Sequence, residues 1–225
     1  MTNLEYPPLF KLCEIDIKPE KQAQYFALGK RNLNLSIKTE PQTLAMHVTH
    51  SDKKGLKNLI FELYQNKAAQ ERHRNSPQFK KYALFAKNAT TKRKVTELIP
   101  ELLLEKYDFL SKSSSENMAV KYARISLKRE SAAAFKAAVF SEMQQAIALE
   151  EGVCAMYAAT IQNQPDEWLF LEFYQDKAAY DKHRVTPHFK EYLEKTKGLV
   201  ETKDLTDLVA DTLVSQGNLN YERGN

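Results

Sequence analysis

Hydrophobic and polar residues alternate along several short stretches in the first half of the chain. FKLCEIDIK (10–18) alternates apolar with acidic side chains, and LAMHVTH (44–50) and LIFELY (59–64) show a similar period. A period of two is typical of a strand with one buried face. The segment 95–105 is apolar enough for a fourth strand, although Pro100 interrupts it. The first half therefore predicts four strands, with helical segments between the first two and between the last two.

The helical segment after the third strand is repeated. ELYQNKAAQERHRNSPQFKKY (62–82) returns 110 positions later as EFYQDKAAYDKHRVTPHFKEY (172–192), with 12 of 21 residues identical. A polar side chain can cap the first turn of a helix, and proline is tolerated at the first helical position. Each copy therefore predicts two consecutive helices. The expected cap residues are Asn66, Asp176, Ser76 before Pro77, and Thr186 before Pro187.

The remaining elements also recur, so each half has the order β-α-β-β-α-β, which predicts a ferredoxin-like α+β fold. We expect one domain at 1–110, a linker at 111–117, a second domain at 118–215 and a flexible tail at 216–225. A sheet covered by helices on one side leaves its other face open. Two copies in one chain therefore favour an intramolecular pseudo-dimer or an α+β barrel.

The composition is that of a globular protein, with 43% hydrophobic and 28% charged residues among 225. No apolar run approaches the roughly 20 residues that cross a bilayer, and no signal peptide is visible. We therefore expect a cytoplasmic protein with no membrane partner. Cys13 and Cys154 are not equivalent in the repeat, which indicates two buried thiols in a reducing compartment.

Charge is distributed unevenly between the halves. Residues 1–110 carry 19 Lys and Arg against 12 Asp and Glu, whereas residues 111–225 carry 14 against 17. The basic residues are scattered, with one dense run at 92–94 and no interleaving with aromatic residues. This pattern argues against a nucleic-acid partner. It fits two lobes that attract each other.

The repeated motif is a strand ending in Glu-x-Tyr, a turn, Ala-Ala, and then His-x-x-Ser/Thr-x-x-Phe. It resembles the antibiotic biosynthesis monooxygenase domain of the dimeric α+β-barrel superfamily, which includes small quinol monooxygenases. The resemblance covers about 8–107 and 118–215, and implies cofactor-free oxygenation of a small quinol or polyphenol. The superfamily is chemically diverse, so two alternatives stay open: a non-catalytic ligand-binding or stress-associated protein, and a small hydroxyketone isomerase. The whole chain could also form a homodimer.

Individual residues argue against one branch of that superfamily, the haem-degrading enzymes. Its members use an asparagine on the first strand, a tryptophan on the helix after the third strand and a haem-ligating histidine. None of the three residue types occurs at the corresponding position. We therefore expect no haem. The sequence shows no pattern of a closed metal site either, so we also expect no metal and no other cofactor. The corresponding positions are Cys13, His73, Ala83, Ala123, His183 and Leu193.

Two histidines are the leading candidates for catalysis. The ordinary pKa of histidine, about 6.5, suits a group that accepts a proton from a quinol near neutral pH. His73 and His183 also lie at the end of a short helix, where a histidine can bond free carbonyls. A structural role for both therefore remains an alternative.

Further polar residues fall at matching positions of the strands and are candidates for substrate binding. Glu and Tyr of the motif could lie on the open face of the sheet, where they could line a cavity or connect two sheets. The two halves have different residues at two of these positions. If only one half keeps a working pocket, we expect the difference to lie at these positions. We expect the first half to assemble an acid–base pair more easily. The candidates are Glu62, Tyr64, Glu172 and Tyr174 of the motif, and the differing pairs His47/Tyr157 and Glu14/Arg124.

Overall fold

The computed structural model describes residues 2–4, 6–106, 110 and 117–224. The strands are β1 (Thr2–Asn3), β2 (Leu9–Ile17), β3 (Thr43–His50), β4 (Lys57–Tyr64), β5 (Thr90–Glu105), β6 (Ala119–Leu127), β7 (Val153–Ile161), β8 (Gln164–Tyr174), β9 (Val200–Ser215) and β10 (Leu219–Glu222). The helices are a 3₁₀ turn (Pro19–Lys21), α1 (Gln22–Thr39), α2 (Lys67–Asn75), α3 (Pro77–Ala89), α4 (Ala132–Leu149), α5 (Lys177–His183) and α6 (Pro187–Thr196).

Each half has the predicted ferredoxin-like order. The first half runs β2-α1-β3-β4-α2-α3-β5, and the second runs β6-α4-β7-β8-α5-α6-β9. In both, the second helical segment is divided in two at the Ser-Pro or Thr-Pro step. The predicted α+β class with two such domains in tandem is confirmed.

One compact unit, here called the N-unit, comprises residues 6–98 and 208–216. Its strands lie in the order β5-β2-β4-β3-β9, and every neighbouring pair is antiparallel. α1 packs against α3 over one face of this sheet. Every second residue of these strands packs in the core between the sheet and the helices. This core contains Cys13, Val48 and Ile60 from the strands and Tyr25 from α1.

The other compact unit, here called the C-unit, comprises residues 1–5, 99–207 and 217–225. Its strands follow the order β9-β6-β8-β7-β5-β10-β1. α4 packs against α6. The core of the C-unit contains Phe135, Val139, Trp168 and Phe170. No helix in the described part of the chain is long and apolar enough to span a membrane.

The two units do not follow the predicted contiguous domain boundaries. β5 and β9 have 16 residues each, and each contributes to both units. In β5 the pairing with β2 extends to Leu98, and Pro100 follows two residues later. A proline donates no hydrogen bond to a ladder, so the interruption seen in the sequence lies where the strand changes partner.

The segment predicted to be a flexible tail contains strand β10. β10 pairs with β5 through Asn220, Tyr221 and Glu222, and Leu219 and Tyr221 are 3% and 6% exposed. Arg223 adds an ion pair to Glu101 at 2.6 Å. Four residues are too short a segment for alternation to reveal a strand, and their partner lies more than 100 residues away. Of the predicted linker, residues 111–116 lie outside the described part of the chain.

Candidate functional site

The repeated motif builds the same local frame in each unit. The predicted caps at all four helix starts are confirmed, because each side-chain oxygen accepts a hydrogen bond from the backbone N–H three residues later. The motif histidine lies in the last turn of the first of these two helices, just before the bend. The cap residues are Asn66, Ser76, Asp176 and Thr186.

In the N-unit, His73 is 1% exposed and held on several sides. Its Nδ1 lies 2.9 Å from a carboxylate oxygen of Glu40. The ring packs against Tyr64 and Phe79, with centroids 5.6 and 4.8 Å away. An ionised carboxylate only accepts hydrogen bonds, so Nδ1–H donates to Glu40. In the neutral imidazole, Nε2 then carries the lone pair.

The motif carboxylate and phenol lie on the helix side of the sheet, contrary to the prediction of an open-face position. Glu62 and Tyr64 share this side with Cys13 and Ile60, under α3. Tyr64 Oη donates to Glu62 at 3.3 Å. The sequence pattern could not show which face of the sheet meets the helices, because residues 43–49 of β3 are buried on both faces.

A cleft of about 610 Å³ opens between the sheet and the helices of the N-unit, with Glu62 among its lining residues. Apolar and aromatic side chains, including Ile60, Phe79 and Tyr82, form much of the wall. Four cationic residues complete the lining: Lys11, Arg74, Lys87 and Arg93. The arrangement combines an apolar wall with a carboxylate and a basic surround.

A second, narrow cavity of about 30 Å³ adjoins the cleft in the same unit. Glu62 and Tyr82 line both the cleft and the narrow cavity, whereas His73 lines the narrow cavity but not the cleft. Tyr25 and Tyr82 hydrogen-bond through their hydroxyls at 2.6 Å. Of Glu62 and His73, only Glu62 therefore lies where a ligand in the wide cleft would meet it.

Burial controls protonation in this cleft. It raises the pKa of the Glu62 carboxyl above its ordinary value, and the nearby His73 and the Tyr64 hydroxyl partly offset that rise. Burial also raises the pKa of Tyr82 and takes that of Tyr25 to about 12. The phenols therefore remain neutral near pH 7. Glu62 becomes a stronger proton acceptor when ionised.

The equivalent space in the C-unit is far smaller. Glu172 and Tyr174 repeat the motif contact, with Tyr174 Oη donating at 2.7 Å. The cavity beside Glu172 measures about 50 Å³ and is lined by Phe170 and Tyr180. Lys121 Nζ lies 3.9 Å above the Tyr180 ring, which holds that ring in place.

Around the second motif histidine the C-unit gathers further ionisable groups. His183 Nδ1 and His188 Nε2 contact the same Glu150 oxygen at 2.8 and 2.7 Å. Glu142 lies 3.5 Å from His183 Nε2. His183, His188 and Glu142 are side chains that can ligate a metal. Sequence reasoning missed Glu142, Glu150 and His188, although the 110-residue offset would have revealed that Asn32 and Gln78 take the places of Glu142 and His188.

The remaining predicted binding residues lie on the opposite sheet face and do not join these sites. His47 pairs with Phe61, one position out of phase with Glu62, and burial lowers the pKa of His47 to about 3. Glu14 is likewise out of phase with Cys13 and forms an ion pair with a lysine. Alternation along a strand separates these groups from His73.

The same separation holds in the C-unit. Tyr157 Oη donates to Glu105, and Arg124 Nε donates to Tyr122 Oη at 2.9 Å. Neither Tyr157 nor Arg124 lines the cavity beside Glu172. The expected acid–base pair between the strand residues and the motif histidine therefore does not form in either unit.

Comparison with known proteins agrees with this architecture. The family model for antibiotic biosynthesis monooxygenase matches residues 8–83 and 118–195. A crystal structure of a putative monooxygenase from Lactobacillus acidophilus NCFM is 32% identical, with a TM-score of 0.88 over 96% of this chain and 99% of that one. A similarly described protein from Fusobacterium nucleatum subsp. nucleatum ATCC 25586 is 20% identical, with a TM-score of 0.88 over 97% and 99%, and shows the same fold. A search of curated proteins found no significant match.

The matched segments span more than half of the sequence, one in each repeat. The chain belongs to the antibiotic biosynthesis monooxygenase family, as a tandem duplication of its domain.

Proposed function

We propose that the N-unit cleft binds a small quinol or polyphenol and that the protein oxygenates it with O2. The observation that carries this proposal is the Glu62 carboxyl in the wall of a largely apolar cleft of about 610 Å³. Small-molecule sites commonly have volumes of about 300–1,000 Å³ and a few polar groups that converge on the ligand. Membership of the monooxygenase family supports the same reaction class.

The lining of the cleft suits an electron-rich aromatic ring. Phe79 and Tyr82 offer ring faces and edges for stacking. Arg74 and Arg93 border the same space and favour a ligand that becomes anionic. A hydroxyaromatic compound satisfies both requirements, because it is planar when neutral and negatively charged after losing a phenolic proton.

The proposed chemistry begins with proton transfer to Glu62. The resulting phenolate donates electrons to O2, and one oxygen atom bonds to a ring carbon. The second oxygen leaves as water with two hydrogens from the substrate. A hydroquinone plus O2 thus yields a hydroxyquinone plus water, so the substrate supplies all the electrons. The protein contributes the base, the orientation of the ring and the apolar wall against which the ring packs.

His73 has a different place in this scheme. Its Nδ1 is bonded to Glu40 and its ring packs between aromatic neighbours. It lies close enough to Glu62 to favour the ionised carboxylate. We therefore assign His73 as a positioning residue that acts through Glu62.

The experiment is oxygen uptake by the purified protein with a panel of mono- and dihydroxyaromatic compounds, followed by mass spectrometry of products formed under ¹⁸O2. We expect uptake with dihydroxyaromatics, one ¹⁸O atom in the product and a loss of about 10²–10⁴-fold in kcat for Glu62→Gln, the usual size of a general-base contribution.

Two results would overturn this proposal. Binding of the same compounds without oxygen uptake would identify a ligand-binding protein. Oxygen uptake that is unchanged by Glu62→Gln would place the chemistry elsewhere.

A further inference from the structure

Three ionisable side chains of the C-unit converge in a place that the proposed reaction does not use. Glu142 comes from α4, His183 from the end of α5, and His188 from α6, and all three are buried. One ligand atom from each can be chosen so that the three atoms lie within 4.8 Å of one another. Three separate helices thus deliver a carboxylate and two imidazoles to one point.

Two atoms of this cluster face each other without a hydrogen-bond partner among the described residues. They are Glu142 Oε1 and His183 Nε2, 3.5 Å apart. Because His183 Nδ1 donates to Glu150, the neutral ring turns the lone pair of Nε2 toward the carboxylate oxygen. Two buried acceptors in this position lack the cation or proton that would bind both.

Glu150 holds both imidazoles from the far side. Its Oε1 is 2.8 Å from His183 Nδ1 and 2.7 Å from His188 Nε2. A carboxylate that binds one nitrogen of an imidazole fixes the ring orientation and increases the basicity of the other nitrogen. This is the usual surrounding of a histidine that ligates a metal.

The local charge also favours a cation. Glu142 is buried and has two further acidic side chains, Glu172 and Glu150, as its neighbours. Glu142 and Glu172 both line the cavity of about 50 Å³, which gives a small ion a route to the carboxylate. A bound dication would compensate this group of acidic side chains.

The N-unit provides an internal comparison on the same scaffold. At the positions of Glu142 and His188 it has Asn32 and Gln78. There Gln78 Nε2 donates to Glu40 at 2.7 Å, so an amide replaces the second imidazole. The N-unit keeps the motif histidine and its carboxylate partner but lacks two of the three metal donors.

We propose that Glu142, His183 and His188 bind one divalent first-row transition-metal ion, with Glu150 orienting the two imidazoles. Two nitrogen donors and one carboxylate suit ions such as Zn²⁺, Co²⁺ and Fe²⁺, and are a poor set for Mg²⁺ or Ca²⁺. The site belongs to the C-unit and shares no residue with the N-unit cleft, so it stands independently of the proposed oxygenation.

The experiment uses the full chain after removal of metal with a chelator, titrated with Co²⁺ and followed by visible absorption and calorimetry. We expect one equivalent to bind. Glu142→Asn and His188→Gln introduce the residues that the N-unit already has, and each should weaken Co²⁺ binding by at least about tenfold. His50→Gln removes a histidine from the N-unit and should leave binding unchanged.

A measurement on the unaltered protein covers the case in which a variant fails to fold. The chain has five histidines, and saturating Zn²⁺ should shift the imidazole nitrogen resonances of His183 and His188 but not those of the other three. Absence of a stoichiometric Co²⁺ complex would overturn the proposal. So would binding that survives both substitutions in folded protein, or Zn²⁺ shifts confined to other histidines.

Discussion

The N-unit and the C-unit share one fold and one motif, yet they enclose different amounts of space. Beside Glu62 the N-unit has a cleft of about 610 Å³, whereas the cavity beside Glu172 measures about 50 Å³. Both carboxylates accept a hydrogen bond from the tyrosine two residues later. The motif therefore fixes the helix geometry and the carboxylate, but the surrounding side chains decide whether a ligand fits.

Three pairs of lining residues, related by the 110-residue offset, account for much of this difference. Larger side chains in the C-unit replace smaller ones in the N-unit, and their volume takes up the space that the cleft leaves open. The pairs are Ile60 and Phe170, Gln70 and Tyr180, and Val95 and Leu205. A duplicated domain can thus retain its structural motif while only one copy keeps a ligand cavity.

Exchange of these side chains should give the largest effect. The variant Ile60→Phe/Gln70→Tyr/Val95→Leu gives the N-unit the C-unit lining, and we expect kcat/KM for a dihydroxyaromatic to fall at least about 100-fold. Overpacking of a filled site typically costs about 1–3 kcal/mol, so folding should survive, and thermal unfolding checks this. The reciprocal change in the C-unit serves as the control and should leave kcat/KM unaltered. Retained activity in the filled N-unit would contradict the assignment.

Replacement of the motif histidines sharpens the comparison further. His73→Gln keeps an amide that can donate to Glu40 but removes the imidazole beside Glu62. We expect kcat to fall about tenfold, less than the roughly 10²–10⁴-fold of a group that itself transfers the proton, because His73 acts through Glu62. His183→Gln should leave kcat unchanged, and oxygen uptake measures both. Equal losses, or a loss from His183→Gln alone, would reverse the roles of the two units.

The carboxylates that hold the histidines should matter for stability in both units. Glu40→Ala removes the acceptor for His73, Thr43 and Gln78. Hydrogen bonds to charged groups contribute about 1.5–3 kcal/mol, so we expect a loss of about 2–3 kcal/mol in the free energy of unfolding, measured by denaturant titration. Glu150→Ala in metal-free protein should cost a similar amount. A change below about 0.5 kcal/mol in either would show that the contact is not formed.

The smallest expected effect is a pH dependence of stability. The raised pKa of Glu62 means that the folded state binds this proton more tightly than the unfolded chain does. Its stabilising contribution is complete below the unfolded pKa and is lost as the pH rises through the folded pKa. Glu62→Gln lacks this loss, so its unfolding free energy relative to the unaltered protein should increase between pH 4 and pH 8. Glu172→Gln is the matched comparison, and a decrease for Glu62→Gln would have the wrong sign.

Much of the fold could be predicted from the sequence, because its signals are local. The repeat, the element order and the helix caps each depend on residues a few positions apart. β10 could not be predicted, since Leu219–Glu222 is ordered by pairing with a strand more than 100 residues away. The sequence also did not predict that β5 belongs to both units, although Pro100 lies close to the point where the strand passes from one unit to the other.

The site could be predicted only in part. The motif identified Glu62, Tyr64 and His73, but alternation cannot tell which face of a sheet meets the helices when both faces are buried. His47 and Glu14 were therefore grouped with His73 although they lie on the opposite face. The cluster around His183 requires three helices to converge, and no local pattern reports such a convergence.

The most direct test of the account is to locate the bound ligand. Amide NMR spectra of the full chain, titrated anaerobically with a dihydroxyaromatic compound, report which residues it touches without turnover. We predict saturation at one equivalent, with shifts at residues 60–64 and 70–86 and none at their counterparts 170–174 and 180–196. Shifts at the C-unit residues, or two equivalents bound, would contradict the claim that the N-unit alone keeps the ligand cavity.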